Sequence, residues 1–206
     1  AAAPALERPR LQRLTRVAKR EGRSTSEGLV AVDIRDTEGG QVATLIELNS
    51  ETDFVAKNDT FISLADRVLK AAAEAGARDA DAALAADADG ETVQQVIDNQ
   101  AATLGEKIVL RRVTRVAGER VTAYLHRTAR DLPPSIGVVV ATDAAGEAVA
   151  KDVAQHVAAM SPTYLSRDEV PAETVENERR IAEETSRNEG QPEACLVATS
   201  AAAADS

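Results

Sequence analysis

Between Leu29 and Ala72 the spacing of apolar residues changes from every second position to every third and fourth, and that change fixes the fold class. Val30, Val32 and Ile34 alternate with other residues, as do Val42, Thr44, Ile46 and Leu48, so Leu29 to Arg35 and Gln41 to Asn49 read as strands. Asp36-Thr37-Glu38-Gly39-Gly40 between them is a polar, glycine-bearing turn, so a β-hairpin with one buried face is expected. Phe61, Leu64, Ala65, Val68, Leu69 and Ala72 then fall at i, i+3, i+4, i+7, i+8 and i+11. That is one apolar stripe along a helix that Asp59 can cap and Gly76 can stop. A one-faced hairpin followed directly by a one-striped helix can bury both surfaces by packing helix on sheet.

The remaining chain repeats this plan. Ala77 to Gly90 is Ala/Asp-rich and weakly patterned, a loop or marginal helix. Thr92-x-x-Gln95 is a capping box, with Val93, Val96, Ile97, Ala101 and Leu104 on the helical face behind it. Ile108, Leu110 and Val113 return to strand periodicity as far as Val116, and Val121, Ala123 and Leu125 begin another strand after the Gly118-Glu119 turn. Ile136 to Val140 is a continuous apolar strand, expected to be central or buried on both faces. An Ala/Val helix follows over Ala148 to Ala159, with Pro162 as its stop, and Pro171-Ala172-Glu173 opens an acid-led helix that Gly190 ends.

The expected architecture is therefore α+β, with two small subdomains, each a short, mainly antiparallel sheet packed against helices. Residues 1–24 form a disordered start and linker helix, 25–118 the first subdomain and 119–170 the second. Residues 171–206 form an acid-led helix and a low-complexity tail. With no tryptophan and two phenylalanines, the core must come from Val, Ile, Leu and Ala.

Charge and motif content exclude several functions. A net charge of −10 argues against nucleic-acid binding, which needs a basic footprint. The basic run Arg10, Arg13, Arg16, Lys19, Arg20 and Arg23 has no interleaved aromatics to stack on bases. One cysteine, Cys195, allows neither an internal disulfide nor a thiolate zinc site. No apolar run approaches the roughly 20 residues that span a bilayer, and the start lacks a signal-peptide layout. A soluble, cytoplasmic protein is expected. Gly-x-Gly-x-x-Gly and Walker-type loops are absent, so no nucleotide is bound directly and no cofactor is expected. His126 and His156 lie apart from each other and outside any metal-ligand spacing, so no metal site is expected. His156 reads as structural. No nucleophile–base motif occurs, and the chain is expected not to be an enzyme.

One corner stands out. Strand periodicity runs through Leu48 into Asn49-Ser50 and turns into a short helical stretch containing Asp53 and Phe54. On pattern alone Ser50-x-x-Asp53 is a capping box and Phe54 an ordinary core residue. His126, after Tyr124-Leu125 at a strand end beside Pro133-Pro134, is either a solvent-facing or a functional histidine.

The stretch Glu47-Leu48-Asn49-Ser50-Glu51-Thr52-Asp53-Phe54-Val55-Ala56-Lys57-Asn58 resembles the signature of elongation factor Ts, the nucleotide-exchange partner of elongation factor Tu. Arg20-Glu21-Gly22-Arg23 with Glu27-Gly28-Leu29-Val30 is similar to that family too, as are Gly105 to Arg112, Tyr124-Leu125-His126 and Tyr164 to Pro171, in the same order. The resemblance runs from about Arg16 to Glu193. It implies a guanine nucleotide exchange factor whose protein partner is elongation factor Tu. Asp53 and Phe54 would project into that partner near its magnesium site, Thr52 and Val55 would fix the approach angle, and Leu125 and His126 would support the contact. It also implies that the acid-led helix is a projecting helix, one arm of a helical hairpin, and that the family's N-terminal helical domain and C-terminal end are lacking. Two alternatives accompany this reading: an exchange-inactive binding fragment of the same family, and a small unrelated α+β enzyme.

Overall fold

The structure, a computed structural model, describes residues 22–190. The expected disordered start, the linker helix to about Lys19 and the tail from Ala194 lie outside the described residues. Contacts divide the chain into two compact units, Ala1–Met160 and Ser161–Ser206.

In the first unit, strands β1 (Glu27–Thr37), β2 (Gly40–Ser50) and β3 (Val109–Gly118) form an antiparallel sheet in that order. Between β2 and β3 run four helices, α1 (Asp53–Ala56), α2 (Asp59–Glu74), α3 (Ala80–Ala85) and α4 (Val93–Leu104). The apolar stripe of α2 is the centre of the core. Phe61, Leu64, Ala65, Val68, Leu69 and Ala72 are all buried, packed with Leu29, Ile46 and Leu48 of the hairpin and Val93, Val96 and Ile97 of α4. Helix α2 is capped by Asn58, whose Oδ1 accepts from Thr60 N–H at 2.8 Å, and not by Asp59, which is already its first residue. It ends in a Schellman motif, with Ala77 N–H donating to Ala72 O and Gly76 N–H to Ala73 O. The stretch from Ala77 to Gly90 contains the one-turn helix α3, capped by Asp79. The Thr92–Gln95 capping box forms as expected, each side chain bonding the other's backbone.

The hairpin is covered on both faces rather than one. Its register pairs Leu29 with Leu48 and Val30 with Glu47, so the Val30, Val32, Ile34 set of β1 looks away from the Ile46, Leu48 set of β2. The Leu29, Ile46 and Leu48 face meets α2, whereas Val30 and Leu45 meet a second sheet. A Cβ on Gly137 of that sheet would stand 3.1 Å from Leu45 Cδ1 and 3.2 Å from Val30 Cγ2, so the two sheets approach closely where a side chain is missing.

The second sheet consists of β4 (Arg120–His126) and β5 (Ile136–Thr142), antiparallel, with α5 (Glu147–Met160) across it. Among the described residues β5 pairs only with β4 and is half-buried, not central. It reads as continuously apolar because α5 and the first sheet each cover part of it. Helix α5 buries Ala150 and Ala154 and leaves Val149 and Val153 exposed. His156, two positions beyond Ala154 and so turned away from the sheet, is exposed, which corrects the structural role expected for it.

The two sheets packed against helices make the α+β architecture that the periodicity implies. The second unit contains a 3-10 turn, Arg167–Glu169, and helix α6 (Ala172–Asn188), followed by Gly190 at φ 69°. No helix among the described residues is long and apolar enough to cross a membrane.

Candidate functional site

The corner after the hairpin begins where β2 is most buried. Leu48 and Ser50 are both fully inaccessible, and Ser50 is still paired with Glu27 in the ladder. Its hydroxyl donates to Thr52 O at 3.0 Å, closing a tight turn. Ser50 therefore does not cap the helix. The strand carries the chain two residues further than the Ser50-x-x-Asp53 pattern assumes. The N-cap is Thr52, in extended conformation, with its Oγ1 accepting from Val55 N–H at 3.4 Å.

Glu106 fixes that cap from outside. Helix α4 stops at Gly105, whose φ of 84° is costly for any residue with a Cβ, and the next side chain is aimed at the corner. One carboxylate oxygen of Glu106 accepts from the Glu51 and Thr52 amides, both at 3.1 Å. The other accepts from the Thr52 hydroxyl at 2.6 Å. In return, Glu51 Oε1 accepts from Lys107 N–H at 2.6 Å, and the Glu51 carboxylate pairs with Arg23 at 3.2 Å. Bonds to a charged group are stronger than neutral ones, and the three to Glu106 are part-buried, whereas the Arg23 pair is exposed and contributes little. Glu51 and Thr52, the two residues before Asp53, are thus held by Glu106 and Lys107 in the link between α4 and β3.

What this frame presents is a phenylalanine. Val55 and Ala56 face the core at 8% and 1% exposure, while Phe54 is 73% exposed. Full burial of such a ring is worth about 1.5–3 kcal/mol, which the fold forgoes here. Lys57 lies over it, its Nζ 5.0 Å from the ring centroid. The same ammonium lies 3.9 Å from Asp53 Oδ2 and 3.4 Å from Asp131 Oδ2. Asp53 itself is nearly half exposed. The core reading of Phe54 is overturned: a helix of four residues has room for one buried flank, and Val55 and Ala56 occupy it.

Thr52, Asp53, Phe54 and Val55 thus form one structural piece, with Val55 seating it. Leu125 is half-buried and His126 exposed at the end of β4. The His126 ring bonds Tyr124, with Tyr124 Oη 3.1 Å from its Nδ1, and not the corner. The connection runs through the following loop, 127–135. Ser135 N–H donates to His126 O at 3.0 Å, Pro134 O accepts from Val30 N–H at 2.8 Å, and Asp131 reaches Lys57. Glu106, Lys57 and Asp131 were not identifiable as site residues from pattern. For Glu106 a signal existed in the helix-stopping Gly105 before it.

The corner is a projection and not a pocket. A depression of about 430 Å³ between α2 and α4 is lined by Asp59, Arg67, Glu91 and Asn99 among others. A cleft of about 270 Å³ between the sheets is lined by residues including Leu45, Glu47, Arg112 and Ile136. Neither includes Asp53, Phe54 or His126. Among the described residues no group of three or more His, Cys, Asp or Glu side chains is arranged to hold a metal ion.

Comparison with known proteins covers this corner and most of the chain. The family model described as Elongation factor TS matches residues 51–199. The elongation factor Ts of Beutenbergia cavernae is 64% identical over 195 residues, which are 94% of this chain and 69% of that protein. The elongation factor Ts proteins of Kineococcus radiotolerans and Paenarthrobacter aurescens are 55% and 54% identical over 193 and 195 residues, 94% and 93% of this chain, and in each case 69% of the relative.

Proposed function

The chain belongs to the elongation factor Ts family, and from that membership we propose that it is a guanine nucleotide exchange factor for elongation factor Tu. The observation that carries this reading is the exposure of Phe54, 73%, directly after Glu51 and Thr52, whose amides are both bonded to Glu106.

An exchange factor accelerates release by offering binding energy that is realised only when the partner's grip on GDP is deformed. Phe54 supplies an apolar wedge that gains its missing burial between elements of the GTPase domain, a residue type that anchors interfaces well. Asp53, one position before it, brings negative charge towards the magnesium site and competes with the ligands there. Thr52 sets the direction through its bonds to Glu106, and Val55 roots the turn. Leu125 and His126 support the same contact from the second sheet. The factor performs no covalent chemistry and binds no nucleotide. Because linkage is reciprocal, GDP or GTP rebinding weakens the factor's own hold and the complex turns over.

The test is stopped-flow release of a fluorescent GDP from elongation factor Tu, with and without excess of this chain. Acceleration that is lost in Phe54→Ala, with an unchanged melting temperature, is the expected result. Tight binding to elongation factor Tu without acceleration would leave a binding protein and remove the exchange function.

A further inference from the structure

Lys57 is surrounded by three groups with claims on it: the Phe54 ring, the Asp53 carboxylate and the Asp131 carboxylate. The first two belong to its own one-turn helix. A lysine has four rotatable bonds, and the Lys57 side chain, 33% exposed, is held over the Phe54 ring with two carboxylates at its ammonium. The shortest of its contacts comes from elsewhere, the 3.4 Å pair with Asp131. That residue stands on the 127–135 loop, which is bonded to β1 through Pro134 O and to β4 through Ser135 N–H, with Pro133 buried. Asp131 is therefore delivered by a fixed element to the Lys57 ammonium.

We propose that Asp131 is a positioning residue for the corner: it holds the Lys57 ammonium against the Phe54 ring and supplies it with a counter-ion other than Asp53. This deepens the exchange reading above and rests on it for its functional consequence. Two carboxylates face one ammonium, at 3.4 and 3.9 Å. When Asp53 is drawn towards a partner, Lys57 keeps Asp131, and the departing carboxylate leaves no unpaired cation behind. Without Asp131, Lys57 would fold onto Asp53, mask its charge and release the ring. The second sheet thereby acts on the wedge through its loop as well as through Leu125 and His126.

The chain contains no tryptophan, so Phe54→Trp introduces a single indole at the corner. In that background, Asp131→Ala is expected to lower the fluorescence anisotropy and raise acrylamide quenching. Lys57→Ala should do the same, and the double variant should go no further than Lys57→Ala alone. In the GDP-release assay with phenylalanine retained, Asp131→Ala should slow stimulated release about two- to fivefold, as expected for an exposed ion pair. Asp131→Glu should restore it, and Asp131→Ala should add nothing on top of Lys57→Ala. Unchanged indole mobility in Asp131→Ala, or effects of the two substitutions that simply add, would overturn the proposal. If the unaltered chain fails to stimulate release, the exchange reading falls, and the indole measurement alone decides whether Asp131 positions the corner.

Discussion

Phe54 and Phe61 are the only phenylalanines in the chain, one helix apart, and they have opposite fates. Phe61 opens the stripe of a 16-residue helix and is fully buried; Phe54 sits in a four-residue helix and is 73% exposed. The residue type is the same and the local sequence equally apolar. What differs is the length of helix available and what holds its start. The long helix α2 has a sheet to lie on and its cap is local, Asn58 bonding Thr60. The short helix α1 is held by Glu106, whose bonds leave the Phe54 side unsupported from within the fold. Under the proposed function, the exposed Phe54 ring is the surface offered to elongation factor Tu.

That difference can be broken experimentally, most forcefully at Phe61. Phe61→Ala should cost about 3–5 kcal/mol in denaturant unfolding, because it opens a cavity between α2 and the hairpin. A loss below 1 kcal/mol would mean that the core does not depend on it. Phe54→Ala should move stability by no more than about 0.5 kcal/mol. It should nevertheless weaken action on elongation factor Tu by about 30-fold or more, the loss expected of an interface anchor. Comparable unfolding losses for the two rings would abolish the distinction. Between these extremes lies Glu106→Ala, expected to cost about 1–3 kcal/mol and to speed hydrogen exchange at the Glu51 and Thr52 amides. Unaltered exchange at those amides would show that the corner holds itself. Smallest is Thr92→Ala, at about 1 kcal/mol of stability. Because Thr92 caps a helix remote in sequence from the corner, any effect on nucleotide release beyond that of the lost stability would blur the separation of frame and wedge.

The two capping threonines also explain which parts of the site the sequence disclosed. Thr92 is legible because its partner, Gln95, is three residues away and both bonds are local. Thr52 is not, because its local cap bond to Val55 has no matching side chain three residues on, its brace Glu106 lies 54 residues away, and a nearer pattern, Ser50-x-x-Asp53, imitates a cap that the β2 ladder pre-empts. The α2 stripe was readable position by position for the same reason that Thr92 was: helix periodicity is a property of neighbours. The hairpin faces were misassigned because register is set by pairing. Leu29 against Leu48 could not be told from Val30 against Leu48 by alternation within each strand. In α5 the larger valines attract attention, yet the sheet accepts the smaller Ala150 and Ala154, since close approach to a sheet favours small side chains. The exposure of Phe54 was not readable from pattern. It was implied only by likeness to a family.

The bond from the Glu51 amide to Glu106 spans 55 residues, and this orders events during synthesis. A chain made from its N-terminus releases Phe54 and Phe61 together, long before Glu106 exists to accept from the Glu51 and Thr52 amides, or Lys107 to donate to the Glu51 carboxylate. In that interval the sheet lacks β3, and both rings are apolar groups following a two-stranded hairpin. Docking of β3 brings Glu106 and Lys107 to the corner and closes the bonds that fix Glu51 and Thr52. Non-local closure of this kind is slow relative to helix formation, so the bonds that fix the corner are expected to close after α2 has formed.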